Sequence, residues 1–254
     1  MSGDILRFPD AQSMAREGAS LIASWLNEAI RTHGNASLLL PGGRSPGAML
    51  GLLATPALSA DVAWHAVHVF QCDERFVPPT HPWSNRRFLE ESFLSLVPIP
   101  DSNIVFIDTG CPSVDASAQA YELMLRRHSL SRAKRPLFDV ALLGIGLDGH
   151  TASLFPGSRS GTERSWVTGV DAMGEPSVKR ISLTVAALSD SAKVMFLVPT
   201  PDKLSIAESI ATGRFGDSPA AGVAARERTV WMLNDPRSPE PGSAGIATEV
   251  RCRS

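Results

Sequence analysis

The segment FDVALLG, residues 138 to 144, is apolar throughout apart from one aspartate and the closing glycine. A strand with one wet face alternates apolar and polar residues, whereas a strand that is apolar at successive positions is buried on both faces. ASLLL (36–40), residues 193–198 and TVWML (229–233) have the same character. Between these runs the period changes. Residues 10–33 place Met14, Leu21, Ile22, Trp25, Leu26, Ala29 and Ile30 on one helical face, and Gly34 follows as a stop. Further helices are expected at GAMLGLLA, opened near Pro46, at SNRRFLEESFLSLV (84–97), at 114–128 and at 202–212. Further strands are expected at WHAVHVFQ (64–71), NIVFI (103–107), 166–170 and 180–185. Buried strands alternating with helices define a doubly wound, Rossmann-like α/β/α architecture with a mainly parallel, partly mixed sheet.

The chain has 254 residues, long enough for one large α/β domain. We expect a single domain over 1–235 and a Pro-, Gly- and Ser-rich tail over 236–254. A net charge of -2 speaks against a nucleic-acid or anionic-membrane surface. No apolar run approaches the roughly 18 residues of a membrane span, and MSGDILRFPD does not read as a secretory signal. Cys72, Cys111 and Cys252 are too scattered for a disulfide framework or a metal clip. His65 and His68 have opposite parity in their expected strand and make a poor metal pair. A cytoplasmic enzyme without metal or other cofactor is expected, as monomer or homodimer.

In an open parallel sheet the binding crevice lies beyond the carboxyl ends of the strands. Four loops there carry polar residues: 41–46, 72–76, 144–150 and 200–203. Two of them contain motifs that mislead. Gly144 to Gly149 spells G-x-G-x-x-G, with Asp171 at a suitable distance for a dinucleotide turn. Such a turn needs a long helix facing the pyrophosphate, however, and Pro156, Gly157 and Gly161 interrupt the segment that would form it. Asp148 would also set a carboxylate against the phosphates. Gly43 to Gly47, GRSPG, matches a nucleophile elbow, but Pro46 has no N–H for the oxyanion. The same segment reads as an anion cradle, with Ser45 as N-cap and Pro46 as first helical residue, or as an ordinary strand-to-helix turn.

Asp148 and His150 stand two residues apart beyond the most apolar strand. Imidazole can take a proton from water near neutral pH, and an adjacent carboxylate can orient it and stabilise its charged form. A general base with its orienter is one reading; a local loop hydrogen bond is the other. CDER, Cys72 to Arg75, supplies two carboxylates and a guanidinium at another strand end, suited to a phosphate or carbonyl, or to a surface ion pair. Cys72 is expected to be a core residue, since the acids after it raise its pKa.

Taken together, LLLPGGRSP, CDERFVPPTHPWSN, FDVALLGIGLDGHTASLFPG, RISLT and PDK, in this order, resemble the 6-phosphogluconolactonase family over residues 10 to 235. GIGLDGHTASLFPG is the most specific block, and DER followed by SN comes next. The resemblance implies a sugar-phosphate lactone as substrate, His150 as general base and Asp148 as its partner. It also implies substrate or phosphate contacts from Gly42, Gly43, Arg44, Ser45, Asp73, Arg75, Arg180 and Lys203. This chain departs from the family in carrying Pro41 where a serine is usual, Ser45 for a threonine, and no glycine shortly before Lys203. The related deaminases typically carry Asp-Glu-Tyr in place of DER and an Asn-Glu pair in place of SLFPG. A sugar-phosphate sensor would need a DNA-binding domain, for which the single helix before Ser37 leaves no room. Arg180 opens its strand whereas the other candidates follow theirs. It can reach the same edge only if that strand runs antiparallel or the chain curls back.

Overall fold

The computed structural model describes residues 3–43, 45–132, 134–158, 165–215 and 218–239. In chain order the elements are β1 (Asp4–Phe8), α1 (Ala11–His33), β2 (Ala36–Leu40), α2 (Gly47–Leu53), α3 (Pro56–Ser59), β3 (Val67–Gln71) and β4 (Asp73–Arg75). There follow α4 (Asn85–Ser92), β5 (Ile104–Val105), α5 (Val114–Leu130), β6 (Phe138–Gly144), β7 (Val167–Met173) and β8 (Val178–Leu183). The remainder is α6 (Val185–Ser189), β9 (Ser191–Val198), α7 (Leu204–Ala211), α8 (Pro219–Gly222) and β10 (Arg228–Asn234).

Seven strands form one sheet in the order β1-β10-β9-β6-β2-β3-β5, and every neighbouring pair is parallel. The apolar strands bury both faces, as their composition requires. Leu38 and Leu40 of β2, with Val140 and Leu142 of β6, join a core with α1, α2 and α4. Leu39, Ala141 and Leu143 point the other way, into a core with Tyr121 and Leu125 of α5 and Ala207 and Ile210 of α7. Asp10 caps α1 by accepting from the Ser13 N–H at 2.7 Å, and Gly34, at φ +81°, ends it.

The expected mixture of strand directions takes the form of a separate sheet. β4, β8 and β7 pair antiparallel, in that order, and pack their apolar side into the second core through Val167, Ile181 and Leu183. Other boundaries also differ from expectation. Residues 64–66 form a 3-10 turn, so His65 precedes β3. α4 stops at Ser92, NIVFI pairs over only two residues, and Lys203 ends a 3-10 turn ahead of α7. β1 was not expected at all. From residue 240 onward the expected tail lies outside the described residues.

At the amino ends of the strands, far along the sheet from the loops considered above, a polar cluster is enclosed. Asp139 accepts from the Ser37 N–H at 2.7 Å and pairs with Arg132 at 2.8 Å and Arg135 at 3.0 Å. His128 stacks on Phe70 with centroids 4.6 Å apart and meets the Ser37 hydroxyl at 2.8 Å, with His68 beside it. Burial, reinforced by Arg132, pulls the His128 pKa from 6.5 down to about 4. The unfolded chain therefore takes up this proton as pH falls through 6.5, while the folded chain resists until about 4. Stability should drop across that window, by about 1–2 kcal/mol from this group once its partial exposure is allowed for. Urea midpoints at pH 7 and pH 5 check this: His128→Phe, which keeps the stacking, should lose less between the two than the wild type.

Candidate active site

The order of the large sheet reverses between β2 and β6, which leave in opposite directions from the pair they form. Loops after two such strands diverge and open a crevice. Here the crevice is a cleft of ≈ 700 Å³ lined by Pro41, Gly42 and Ser45 after β2 and by Gly144 to Asp148 and His150 after β6. Asp73, Arg75 and Arg180 of the small sheet, Asn85 of α4, Glu175 and Lys203 add further polar groups to its lining.

The loop after β6 is folded around its histidine. The Gly146 N–H donates to the His150 carbonyl at 2.9 Å, and the Gly149 N–H to the Gly146 carbonyl at 3.0 Å. Gly149 has φ +81°, a conformation that favours glycine. A Cβ on Gly146 would lie 2.1 Å from His150 Nδ1, so glycine there makes room for the ring. Thr151 Oγ1 then donates to the Gly144 carbonyl at 2.8 Å. Among the described residues no helix follows before β7, which removes the support a dinucleotide turn needs.

His150 Nδ1 lies 2.6 Å from Asp148 Oδ1, which also accepts the His150 backbone N–H at 3.1 Å. Partial burial raises the Asp148 pKa, but the His150 N–H, the imidazole charge and the side-chain hydrogen bond outweigh it and hold the carboxyl below its usual value. An ionised Asp148 accepts from Nδ1–H, which fixes the tautomer and leaves the lone pair on Nε2. The imidazole is one-third exposed and rests on Phe155 with centroids 4.6 Å apart. It is held in place yet open to water.

Opposite the base stands a group of cations. In the antiparallel pairing of β4 and β8, Arg75 lies directly across from Arg180. This register resolves the difficulty over Arg180, because the strand it opens runs against β4. Arg180 is 4% exposed, donates to the carbonyls of Met173 at 3.3 Å and Pro176 at 2.8 Å, and packs over Phe155 at 5.6 Å. Burial lowers its pKa, and Asp73 partly counters this. Arg75 Nη1 donates to the Trp83 carbonyl at 3.0 Å and to Asn85 Oδ1. Lys203 Nζ donates to the Ile145 carbonyl at 2.8 Å, which sets it beside the histidine loop. Among the described residues none of the three forms an ion pair with a carboxylate. Like charges directly opposed across a sheet are destabilising on their own, and an anion between them offsets that.

The two acids of DER have other tasks. Glu74 is 1% exposed and accepts the backbone N–H groups of Arg75, Asn85 and Arg86, each at 2.7 Å. It caps α4 from a distant strand, and burial raises its pKa despite these donors. Asp73 borders the cleft with both oxygens engaged, one by Ser153 Oγ at 2.5 Å and the other by Asn85 Nδ2 at 3.2 Å. It thereby ties the histidine loop to the small sheet. Cys72 is fully buried, and burial and Asp73 raise its pKa, as a core role requires.

The loop after β2 is only partly as expected. Gly42 and Ser45 face the cleft, Gly43 (φ +80°) is not among its lining residues, and Arg44 lies outside the described residues. Ser45 does not cap α2. Pro46 takes the N-cap position without a side-chain hydrogen bond, and the helix starts one residue later at Gly47. Proline's fixed φ already suits the turn, so no serine cap is used. Asn85 and Ser153 were not singled out by sequence reasoning, although SN belonged to the block that carried the family resemblance.

A doubly wound α/β scaffold with a histidine–carboxylate pair and a cation cluster at its switch point defines a class of sugar-phosphate proteins. The chain belongs to the family of glucosamine-6-phosphate isomerases/6-phosphogluconolactonase, whose model matches residues 9–231. It is 33% identical over 241 residues to the 6-phosphogluconolactonase of Mycobacterium tuberculosis, covering 92% of this chain and 96% of the relative. To that of Streptomyces coelicolor it is 35% identical over 237 residues, covering 89% of each. The crystal structure of 6-phosphogluconolactonase from Thermotoga maritima superposes with a TM-score of 0.77 at 29% identity, covering 90% of this chain and 98% of the other.

Proposed function

We propose that this chain hydrolyses 6-phospho-D-glucono-1,5-lactone to 6-phospho-D-gluconate, a step of the oxidative pentose phosphate pathway. The observation that carries the reading is the His150–Asp148 pair in one cleft with three cations that, among the described residues, form no ion pair with a carboxylate. In the proposed reaction Nε2 removes a proton from water as the oxygen attacks the lactone carbonyl. Asp148 stabilises the imidazolium that forms. The tetrahedral oxyanion collapses with cleavage of the ring ester bond, and the imidazolium returns its proton to the leaving ring oxygen. An activated ester needs a base and oxyanion donors but no covalent nucleophile.

Arg180 and Lys203, with Gly42 and Ser45, are assigned to the phosphate and sugar, and Arg75 to a substrate oxygen. Asp73 borders the same space. Binding energy at the phosphate positions the ring for attack. The cytoplasm suits the thiols of Cys72 and Cys111, which are free.

The deaminase reading is disfavoured by DER and SLFPG, which replace that group's typical residues. A stopped assay decides between them: freshly generated δ-lactone should be consumed above its spontaneous rate, and glucosamine 6-phosphate should release no ammonia. Ammonia release without lactone turnover would reverse the assignment.

A further inference from the structure

Asn85 is 1% exposed, and both ends of its amide are committed. Nδ2 donates to the main-chain carbonyl of Asp73 at 3.0 Å and to its carboxylate at 3.2 Å. Oδ1 accepts from Arg75 Nη1. Its backbone is held too, through the N–H that Glu74 accepts at 2.7 Å. The space it fills exists because residue 42 is glycine: a Cβ there would lie 1.8 Å from Asn85 Cγ and Oδ1. The loop after β2, the DER strand and the start of α4 therefore meet at a single side chain.

The consequence falls on Arg75. Its Nη1 is anchored between Asn85 Oδ1 and the Trp83 carbonyl. Nε is shielded from water and has no acceptor. Among the described residues Nη2 has none either. A guanidinium fixed through Nη1 is held in one orientation at the cleft wall and offers Nη2 as a preset donor for an oxygen ligand. Leaving a buried donor unpaired is unfavourable unless a ligand completes it.

We propose that Asn85 is a positioning residue for the hydrolysis: it pins Arg75 through Nη1 so that Nη2 of Arg75 meets an oxygen of the bound substrate. The assignment rests on the lactonase reading. Asn85 acts through Arg75, so its effect should vanish when Arg75 is absent.

A double-mutant cycle tests this with Asn85→Leu, Arg75→Ala and the pair, read as kcat/KM for the lactone and as binding of 6-phosphogluconate by calorimetry. Each single variant should lose about tenfold or more, the size expected for one charge-assisted hydrogen bond. The double variant should be no worse than Arg75→Ala. Losses that multiply in the double variant overturn the proposal and leave Asn85 as a fold residue. If Asn85→Leu does not fold, Asn85→Ser, too short to reach Arg75, carries the same cycle. Product binding needs no turnover, so a failure of this assignment is separable from a failure of the lactonase reading.

Discussion

His150→Ala should lower kcat for the δ-lactone by more than about 10²-fold, the scale of a positioned general base. The loss should fall on kcat with little change in KM, because the imidazole acts on water and not on the phosphate. Folding should be nearly unaffected, since the ring is one-third exposed and the loop's backbone hydrogen bonds do not involve it. The same stopped assay measures it, with the spontaneous opening of the lactone subtracted from both proteins. Turnover close to wild type would remove His150 from the mechanism and shift attention to Asp73.

The second large effect concerns binding. Arg180→Met keeps much of the aliphatic volume against Phe155 and removes the buried charge. Losing a buried, hydrogen-bonded partner of an anion costs about 2–5 kcal/mol, so KM should rise by about 30-fold or more. Two outcomes separate its roles. A rise in KM at nearly constant kcat marks an interaction shared by ground and transition states, as expected of a phosphate contact; an equal fall in kcat and kcat/KM would instead place Arg180 at the oxyanion. Melting temperature should change little or fall, because relief of the like-charge pair with Arg75 is set against the loss of attraction to Asp73 and Glu74 and of two hydrogen bonds to carbonyls.

The long apolar strands and α1 were legible because their patterns are dictated by burial alone. The histidine loop was legible because glycines, an acid and an imidazole beyond a buried strand have few other uses. β4 was hidden for the opposite reason: Asp-Glu-Arg has little strand propensity, and only the pairing with β8 and the capping of α4 by Glu74 make it a strand. β1 was hidden because DILRF mixes charges with apolar residues at a sheet edge. Asn85 could not be read locally, since its partners lie 10 and 12 residues away and the space for it depends on Gly42. Ser45 had the right chemistry for a cap, but Pro46 already supplied the turn.

The position of β10 between β1 and β9 bears on how the molecule comes into being during translation. Among the described strands β1 is the first to be synthesised, yet its neighbour in the sheet is the last of them, residues 228–234. Until that strand has left the ribosome, β1 has nothing to pair with and the flank of β9 stands open. Contacts so distant along the chain form slowly, and an open apolar edge invites association with other nascent chains. Completion of the sheet, and with it the shelter of β9, therefore waits on the emergence of β10. Chaperone demand should be greatest in the interval just before β10 emerges.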